Sequence, residues 1–164
     1  MNWYLVVKLM HILSVAITIG GLFARQVVRA NAKKSGDLSV TASLTHTALR
    51  IDRLMVIPWS SLMILFGIVL AVLQNWPIFG FLQGSTHNWL LVSNILLVIM
   101  QIAIFGVFVP HNKKVATVLR SSLAEGRITP ELRAMLNDKG NKLAHHIEET
   151  IIILVAALMV LKPF

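Results

Sequence analysis

The sequence predicts an all-α, polytopic membrane protein folded as a bundle of four transmembrane helices. Hydrophobic residues make up 56% of the 164-residue chain and charged residues only 13%, about half the charged share of a soluble domain. The apolar residues form four stretches, each long enough to cross a bilayer core of about 30 Å as a helix. These spans lie at about 3–24, 56–74, 88–109 and 143–161, and they leave a single membrane domain, 1–164, with cytosolic loops at 25–55 and 110–142.

The basic residues predict which side of the membrane each loop occupies. Of the 15 lysines and arginines, all except Lys8 and Lys162 lie in the loops after spans one and three. The segment between spans two and three, 74–88, carries no charge, so the positive-inside rule places it outside together with both termini. Aromatic side chains, which favour the membrane interface, collect at that same boundary: Trp3, Tyr4, Trp76, Phe79, Phe81, Trp89 and Phe164.

Several function classes are excluded. The chain has no cysteine, which rules out disulfides, thiolate metal sites and cysteine nucleophiles. It lacks the phosphate-binding loop GxxxxGK[ST], the dinucleotide fingerprint GxGxxG, the zinc-protease motif HExxH and the hydrolase motif GxSxG. The net charge of +8 does not predict a nucleic-acid partner, because the basic residues flank apolar spans. The lipid bilayer is the predicted partner, with a homo-oligomer or a membrane partner subunit left open.

Span one carries a polar stripe. At about 100° per residue, one face of the helix holds seven polar or small residues: Lys8, His11, Ser14, Thr18, Gly21, Arg25 and Arg29. Polar groups inside a membrane are costly and usually face the interior of the bundle. The stripe is therefore expected to face the other three helices.

His11 is the principal candidate functional residue. It lies eight residues into its span, roughly 12 Å below the outer boundary. An imidazole at this depth can ligate a haem or metal ion, relay a proton, or form an interhelical hydrogen bond. Gly67 and Asn94 are predicted at a similar depth, Lys8 lies one turn above to pair a haem propionate, and His87 is the nearest second histidine.

A second polar layer is predicted at the cytosolic end. Span four draws four polar residues into the inner boundary: His145, His146, Glu148 and Glu149. Five residues of the other three helices are predicted to approach the same level: Arg25, Arg50, Asp52, Arg53 and His111. His145 and Glu149 are four residues apart and share a helix face. The layer is either an ion-pair network that closes the bundle, a proton-handling pair formed by Glu149 and His145, or a metal site using His46, His111, His145 and His146. In the preceding loop, Thr129 and Pro130 predict the start of a short surface helix, and Gly140 its end.

Four short segments together resemble a known family. They are Lys8-Leu9-Met10-His11-Ile12 with Gly20-Gly21-Leu22-Phe23, Arg50-Ile51-Asp52-Arg53-Leu54 leading to Pro58 and Gly67, Trp89, and Leu158-Met159-Val160-Leu161-Lys162-Pro163-Phe164. In content and order they resemble the HemJ-type protoporphyrinogen oxidases, and the ending also resembles a related family of small integral membrane proteins of unknown function. The likeness covers nearly the whole chain.

The resemblance implies a four-helix membrane fold that binds b-type haem and oxidises protoporphyrinogen. His11 occupies the position of the family's essential histidine, Arg50 and Arg53 match its basic pair, and Glu149 or Glu148 approximates its acid in span four. The chain departs from that family where Asn94 stands in place of a lysine. A proline that follows the acid in the family is also missing.

Two hypotheses follow. The first is a haem b protein of the bacterial inner membrane with a redox role, in which His11 ligates the iron. Lys8, Gly67 and Asn94 surround the cofactor, and the candidates for catalytic work are His11, Arg50, Arg53 and Glu149. His87, His145, His146 and His111 are weaker candidate ligands. The second hypothesis is a non-enzymatic accessory or transport subunit of a membrane complex, in which the polar layers are structural.

Overall fold

A computed structural model describes residues 2–85 and 88–163, and these residues form helices and short connections without a strand. The helices are α1 (Trp3–Lys34), α2 (Leu38–Ile51), α3 (Ile57–Leu73), α4 (Trp89–Ala103), α5 (Val109–Ala124), α6 (Pro130–Leu136) and α7 (Lys139–Leu161). Within the described ranges, four continuous helical stretches are long and apolar enough to cross a membrane: Trp3–Lys34, Leu38–Leu73, Trp89–Ala124 and Pro130–Leu161. The predicted fold class is confirmed. His87 and Phe164 lie outside the described residues.

The segments predicted as loops, 25–55 and 110–142, are mostly helical. α1 runs on to Lys34, and after a three-residue connection Asp37 caps α2 by accepting a hydrogen bond from the Val40 N–H at 3.0 Å. The helices continue beyond the apolar spans because buried residues recur at helical spacing past the predicted membrane boundary. Thr41, Thr45 and Ala48 are buried on α2. Hydropathy identified four apolar stretches, but it did not give the ends of the helices.

The short helix α6 begins where the sequence predicts. The Thr129 hydroxyl accepts a hydrogen bond from the Leu132 N–H at 3.2 Å, and Pro130 occupies the first turn. The predicted end at Gly140 is wrong, since α6 ends at Leu136. Asp138 then starts a new helix by accepting from the Gly140 N–H at 2.8 Å. Gly140 therefore lies in the first turn of α7.

Two π turns, Asp52–Val56 and Ile104–Phe108, connect α2 to α3 and α4 to α5. Each is followed at once by a proline in the first turn of the next helix, Pro58 or Pro110. Proline has no N–H to donate, and in a regular helix its ring clashes with the carbonyl four residues earlier. The wider π turn just before each proline makes room for its ring, so the helix continues past the proline without a break. Such turns are frequent at functional sites.

The four long helical stretches pack as two neighbouring pairs, the first with the second and the third with the fourth. α1 packs along α2 and α3, while α4 packs against α7. The main core lies between the pairs: Leu22, Val56, Met63, Leu97, Met100, Ile104, Phe108, Ile151, Ile152 and Val155. Large apolar side chains on the outer faces, such as Ile102 and Ile153, are more than half exposed, as expected for surfaces that contact lipid.

A pair of neighbouring glycines provides a matched test of helix packing. A Cβ at Gly21 would lie 3.0 Å from the Cβ of Met55 and 3.2 Å from Cγ2 of Val56, whereas a Cβ at Gly20 would have nothing within 4 Å. Gly21→Ala is expected to lower the free energy of unfolding by about 1–3 kcal/mol through overpacking. Gly20→Ala is expected to leave it unchanged or slightly raised. Unfolding of the detergent-solubilised protein with increasing SDS, followed by circular dichroism, measures the stability of both variants. Equal changes in the free energy of unfolding would contradict the packing of α1 against the first π turn.

Candidate functional site

A cavity of about 370 Å³ lies between α1, α3, α4 and α7. Tyr4, near the start of α1, and Lys162, just after the end of α7, both line it together with Trp76, so the start of α1 and the end of α7 lie at the same end of the bundle. This end is called the aromatic end below, and the opposite end is called the basic end. The cavity brings together four residues that the sequence singled out: Lys8, His11, Gly67 and Asn94.

His11 is held in a defined orientation at this cavity. Its Nδ1 lies 2.9 Å from the carbonyl oxygen of Met63 on α3. Since a carbonyl only accepts, Nδ1 must carry the proton and donate it. In the neutral ring, Nε2 then keeps its lone pair, and it has no hydrogen-bond partner among residues 2–85 and 88–163. This is the arrangement usually found for a metal-ligating histidine, whose second nitrogen donates to a carbonyl.

Gly67 allows the imidazole to lie directly against α3. A Cβ at this position would come within 3.1 Å of Cε1 of His11. A side chain at this position would therefore require the ring to shift by a few tenths of an ångström. Asn94, on α4, uses its amide Nδ2 to donate to the carbonyl of Ile78 at 3.4 Å. This contact joins the α3–α4 connection to the wall of the cavity.

Two cations stand at the mouth of the cavity. Lys8 and Lys162 both line it, and both side chains are exposed. Lys162 Nζ lies 4.5 Å from the ring centroid of Trp76 and 5.3 Å from that of Trp89, and Lys8 Nζ lies 5.9 Å from that of Tyr4. In the described part of the chain no carboxylate pairs with either lysine. The mouth therefore favours an anionic group.

Sequence reasoning did not assign Lys162 to the site. A usable signal was present, because Lys8 and Lys162 are the only lysines or arginines of the sequence outside the segments 25–55 and 110–142 that were predicted to be cytosolic loops. Met159 was also missed, and it lines the same cavity from α7. Span four was predicted from hydropathy alone, and hydropathy does not show which of its residues face span one.

A cluster of ion pairs lies buried at the basic end. Arg25 is 1% exposed and donates from Nη1 to Asp52 at 2.7 Å and from Nη2 to Glu148 at 2.6 Å. Arg29 donates to the other oxygen of Asp52 at 2.7 Å and to Oδ1 of Asn112 at 3.0 Å. Two cations and two carboxylates leave the cluster neutral. Neutral, hydrogen-bonded pairing is the condition under which buried charges are tolerated.

His145 completes this cluster. Its Nδ1 lies 3.2 Å from Oε2 of Glu148, its Nε2 is hydrogen-bonded to the guanidinium of Arg29, and its ring stacks on Phe108 with centroids 4.2 Å apart. Arginine can only donate, so Nε2 accepts and Nδ1 carries the proton that is donated to Glu148. Both ring nitrogens are thus satisfied.

The cluster differs in membership from the predicted layer. Glu148, not Glu149, contacts His145; Glu149 instead lies 3.5 Å from His146, whose side chain is 56% exposed. The structure places Arg50 and Arg53 on the exposed surface, outside the cluster. His46 is also exposed, and His111 lies 3.9 Å from Asp138. Across the ranges that the structure describes, no three His, Asp or Glu residues are grouped so as to hold a metal ion, so the histidine metal site at this end is not supported.

The two sites are therefore different in kind. The basic-end cluster is neutral and largely satisfied internally, as expected for a group of contacts that joins helices α1, α5 and α7 to the first π turn. The aromatic-end cavity has largely apolar walls and is lined by Lys8 and Lys162, for which the described residues offer no carboxylate partner, and by His11, whose Nε2 has no hydrogen-bond partner among them. A ligand of about the cavity's size, with an apolar body and an anionic edge, would match that surface.

Residues 5–163 fit the family model described as "Predicted integral membrane protein (DUF2269)". No curated protein and no solved structure matches the chain. The comparisons give no link to the HemJ-type oxidases, so the resemblance is supported only as far as a family of integral membrane proteins. Because the match covers nearly the whole chain, the protein belongs to the DUF2269 family of predicted integral membrane proteins.

Proposed function

We propose that this membrane protein binds a b-type haem, or a closely related porphyrin, in the aromatic-end cavity and has a redox role. One observation carries the proposal: His11 lines a largely apolar cavity, its Nδ1 is tied to a backbone carbonyl, and its Nε2 has no hydrogen-bond partner in the described part of the chain. The cavity, at about 370 Å³, falls within the range of sites that bind small molecules and cofactors.

The charges at the mouth support the same ligand. A haem carries two propionates at one edge, and Lys8 and Lys162 supply two exposed cations at one side of the cavity. Arg25 is excluded from this role, since it follows His11 by fourteen residues and lies roughly 21 Å farther along α1. Lys162 thus takes part in anion recognition beside the predicted Lys8.

The protein's contribution would be binding and control of the local environment. When bound, a b-type haem supplies a one-electron couple between ferric and ferrous iron. His11 would hold the iron, and the Met63 carbonyl would strengthen the imidazole as a donor by accepting its Nδ1 proton. The apolar walls would limit water, and Met159 is a further soft side chain at the cavity.

The cellular location is part of the proposal. The basic residues concentrate at the end opposite the cavity, and the positive-inside rule then directs the cavity to the outer side of a bacterial inner membrane. A redox partner or acceptor would approach from that side.

A non-enzymatic accessory or transport subunit is the second candidate. The observation that favours it is the same contact between His11 and Met63, considered only as a hydrogen bond that joins α1 to α3. In that case His11 contributes stability and no chromophore is bound.

The absorption spectrum decides between these functions. The full-length protein, purified in detergent, should show a Soret band as isolated or gain a saturable one on addition of hemin, and the chromophore should coelute with the protein in gel filtration. His46→Ala provides the control for surface histidines, since His46 is exposed on α2, and it should bind hemin as the wild type does. A protein without a Soret band before and after hemin addition refutes haem binding and leaves the accessory role.

A further inference from the structure

A second cavity, of about 260 Å³, lies at the basic end. It is bounded by α1, α2, α5, α6 and α7, and it adjoins the buried ion-pair cluster through Arg29, Asn112 and His145. Neither the family description nor the proposed haem site gives it a role.

The charges that line this second cavity are of one sign. Arg29, Lys33, Lys34 and Lys142 line it, and no aspartate or glutamate among the described residues does so. Arg29 is neutralised by Asp52. The three lysines have no ion-pair partner within 2–85 and 88–163, and the nearby Asp138 is a half-exposed partner of His111 at 3.9 Å. The lysines therefore create a positive potential that an anion would relieve.

Unsatisfied polar groups lie in the same wall. Three buried atoms have no hydrogen-bond partner among the residues that the structure describes: Nε2 of Gln26, Oγ1 of Thr45 and Oδ1 of Asn141. All three residues line the cavity. Thr45 is only 4% exposed. Burying a polar group without a hydrogen bond costs free energy. Gln26 and Thr45 can donate, and Asn141 can do so by rotating its amide, so an acceptor-rich ligand would satisfy all three.

We propose that the basic-end cavity binds a phosphate group, either the head group of an anionic phospholipid or a soluble phosphate. A phosphomonoester carries close to two negative charges and several acceptor oxygens, which matches several unpaired lysines and neutral donors better than a carboxylate does. Basic pockets between helices on the cytoplasmic side of membrane proteins are known to hold lipid head groups. Apolar side chains line other parts of the wall, among them Leu49, Val115 and Leu136, and these would accommodate the carbon part of the ligand.

Two probes test the proposal on the full-length protein in detergent. Inorganic phosphate is titrated by calorimetry against chloride at matched ionic strength, and dioleoyl phosphatidic acid in mixed micelles is followed by native mass spectrometry, with dioleoyl phosphatidylcholine for comparison. Binding of phosphatidic acid alone identifies a lipid site, binding of inorganic phosphate alone a soluble ligand, and binding of both a general phosphomonoester site. Each of these supports the proposal, whereas failure of both probes overturns it.

Matched variants show whether the binding is local. The double variant Lys33→Gln, Lys142→Gln should bind the effective probe at least about tenfold more weakly. The control Lys113→Gln, Lys114→Gln removes the same charge from exposed positions of α5 outside the cavity and should bind as the wild type does. Thr45→Val keeps the shape of the side chain and removes one buried donor, so it should weaken binding severalfold without any change in charge. Equal losses in the two lysine variants, or unchanged binding by Thr45→Val, would overturn the proposal; if the first lysine variant does not fold, Lys142→Gln alone replaces it.

Discussion

Replacing Arg25 with methionine is expected to lower the free energy of unfolding by about 3–5 kcal/mol, because it leaves buried charge without its partner. The arginine joins Asp52 and Glu148 at 2.7 and 2.6 Å. Asp52 would still contact Arg29, but Glu148, which is 2% exposed, would keep only the neutral His145. Unfolding of the detergent-solubilised protein in rising SDS, followed by circular dichroism, measures the change.

Two further variants separate charge pairing from simple loss of side-chain volume. Arg53→Met makes the same substitution at an exposed arginine of the first π turn and should change the stability by no more than about 0.5 kcal/mol. Arg25→Met combined with Glu148→Met removes one cation and one carboxylate, so the remaining cluster is again neutral. The double variant should be more stable than Arg25→Met alone. If the free energy of unfolding of Arg25→Met lies within about 1 kcal/mol of the wild-type value, the cluster does not link the helices strongly.

Replacing His11 is expected to weaken the proposed binding of haem strongly while leaving the bundle folded. His11→Ala removes the only histidine that lines the aromatic-end cavity in the described part of the chain. The affinity for hemin should fall by more than about 100-fold, since even groups that only orient a metal ligand contribute 10 to 100-fold. Hemin titration followed at the Soret band measures this loss. His146→Ala, at an exposed histidine of α7, serves as the control.

Two other His11 variants distinguish ligation from support of the helix pair. His11→Gln keeps an amide N–H that can donate to the Met63 carbonyl, but its oxygen is a poor ligand for haem iron. His11→Gly opens space beside Gly67, and added imidazole should restore the Soret band there. If His11→Gln binds hemin as tightly as the wild type, His11 is not the ligand. If every His11 variant is destabilised and the wild type binds no haem, the accessory role is favoured.

The overall architecture could be predicted from the sequence because hydropathy is a local property. The cost of placing about 20 residues in a bilayer is a sum over neighbouring side chains, so four spans and their clustering of basic residues can be identified without any tertiary contact. The polar stripe of α1 could also be predicted from the sequence, and four of its residues are buried in the structure: Ser14, Thr18, Gly21 and Arg25. The helix cap at Thr129 also depends only on adjacent residues.

The partners of these residues could not be predicted in the same way. His145 contacts Glu148 three residues on, although a separation of four also shares a helix face. Asp52, at the start of a π turn, joins the cluster, while its neighbours Arg50 and Arg53 are exposed. A π turn changes the phase of every following side chain relative to a regular helix. The sequence therefore indicated which types of residue were available but not which faces met.

The sequence by itself determined that this protein is a four-span membrane bundle, with one histidine deep in its first span and its basic residues gathered at one end. Only the tertiary structure decided that Lys162 approaches the cavity of Lys8 and His11, that Nδ1 of His11 is tied to α3, and that Glu148 closes the ion-pair cluster. The physical reason is that insertion into a membrane depends on the apolar area of each helix, which adds along the chain. Contact between two helices depends instead on their rotation and tilt, which are set by side chains that are distant in sequence.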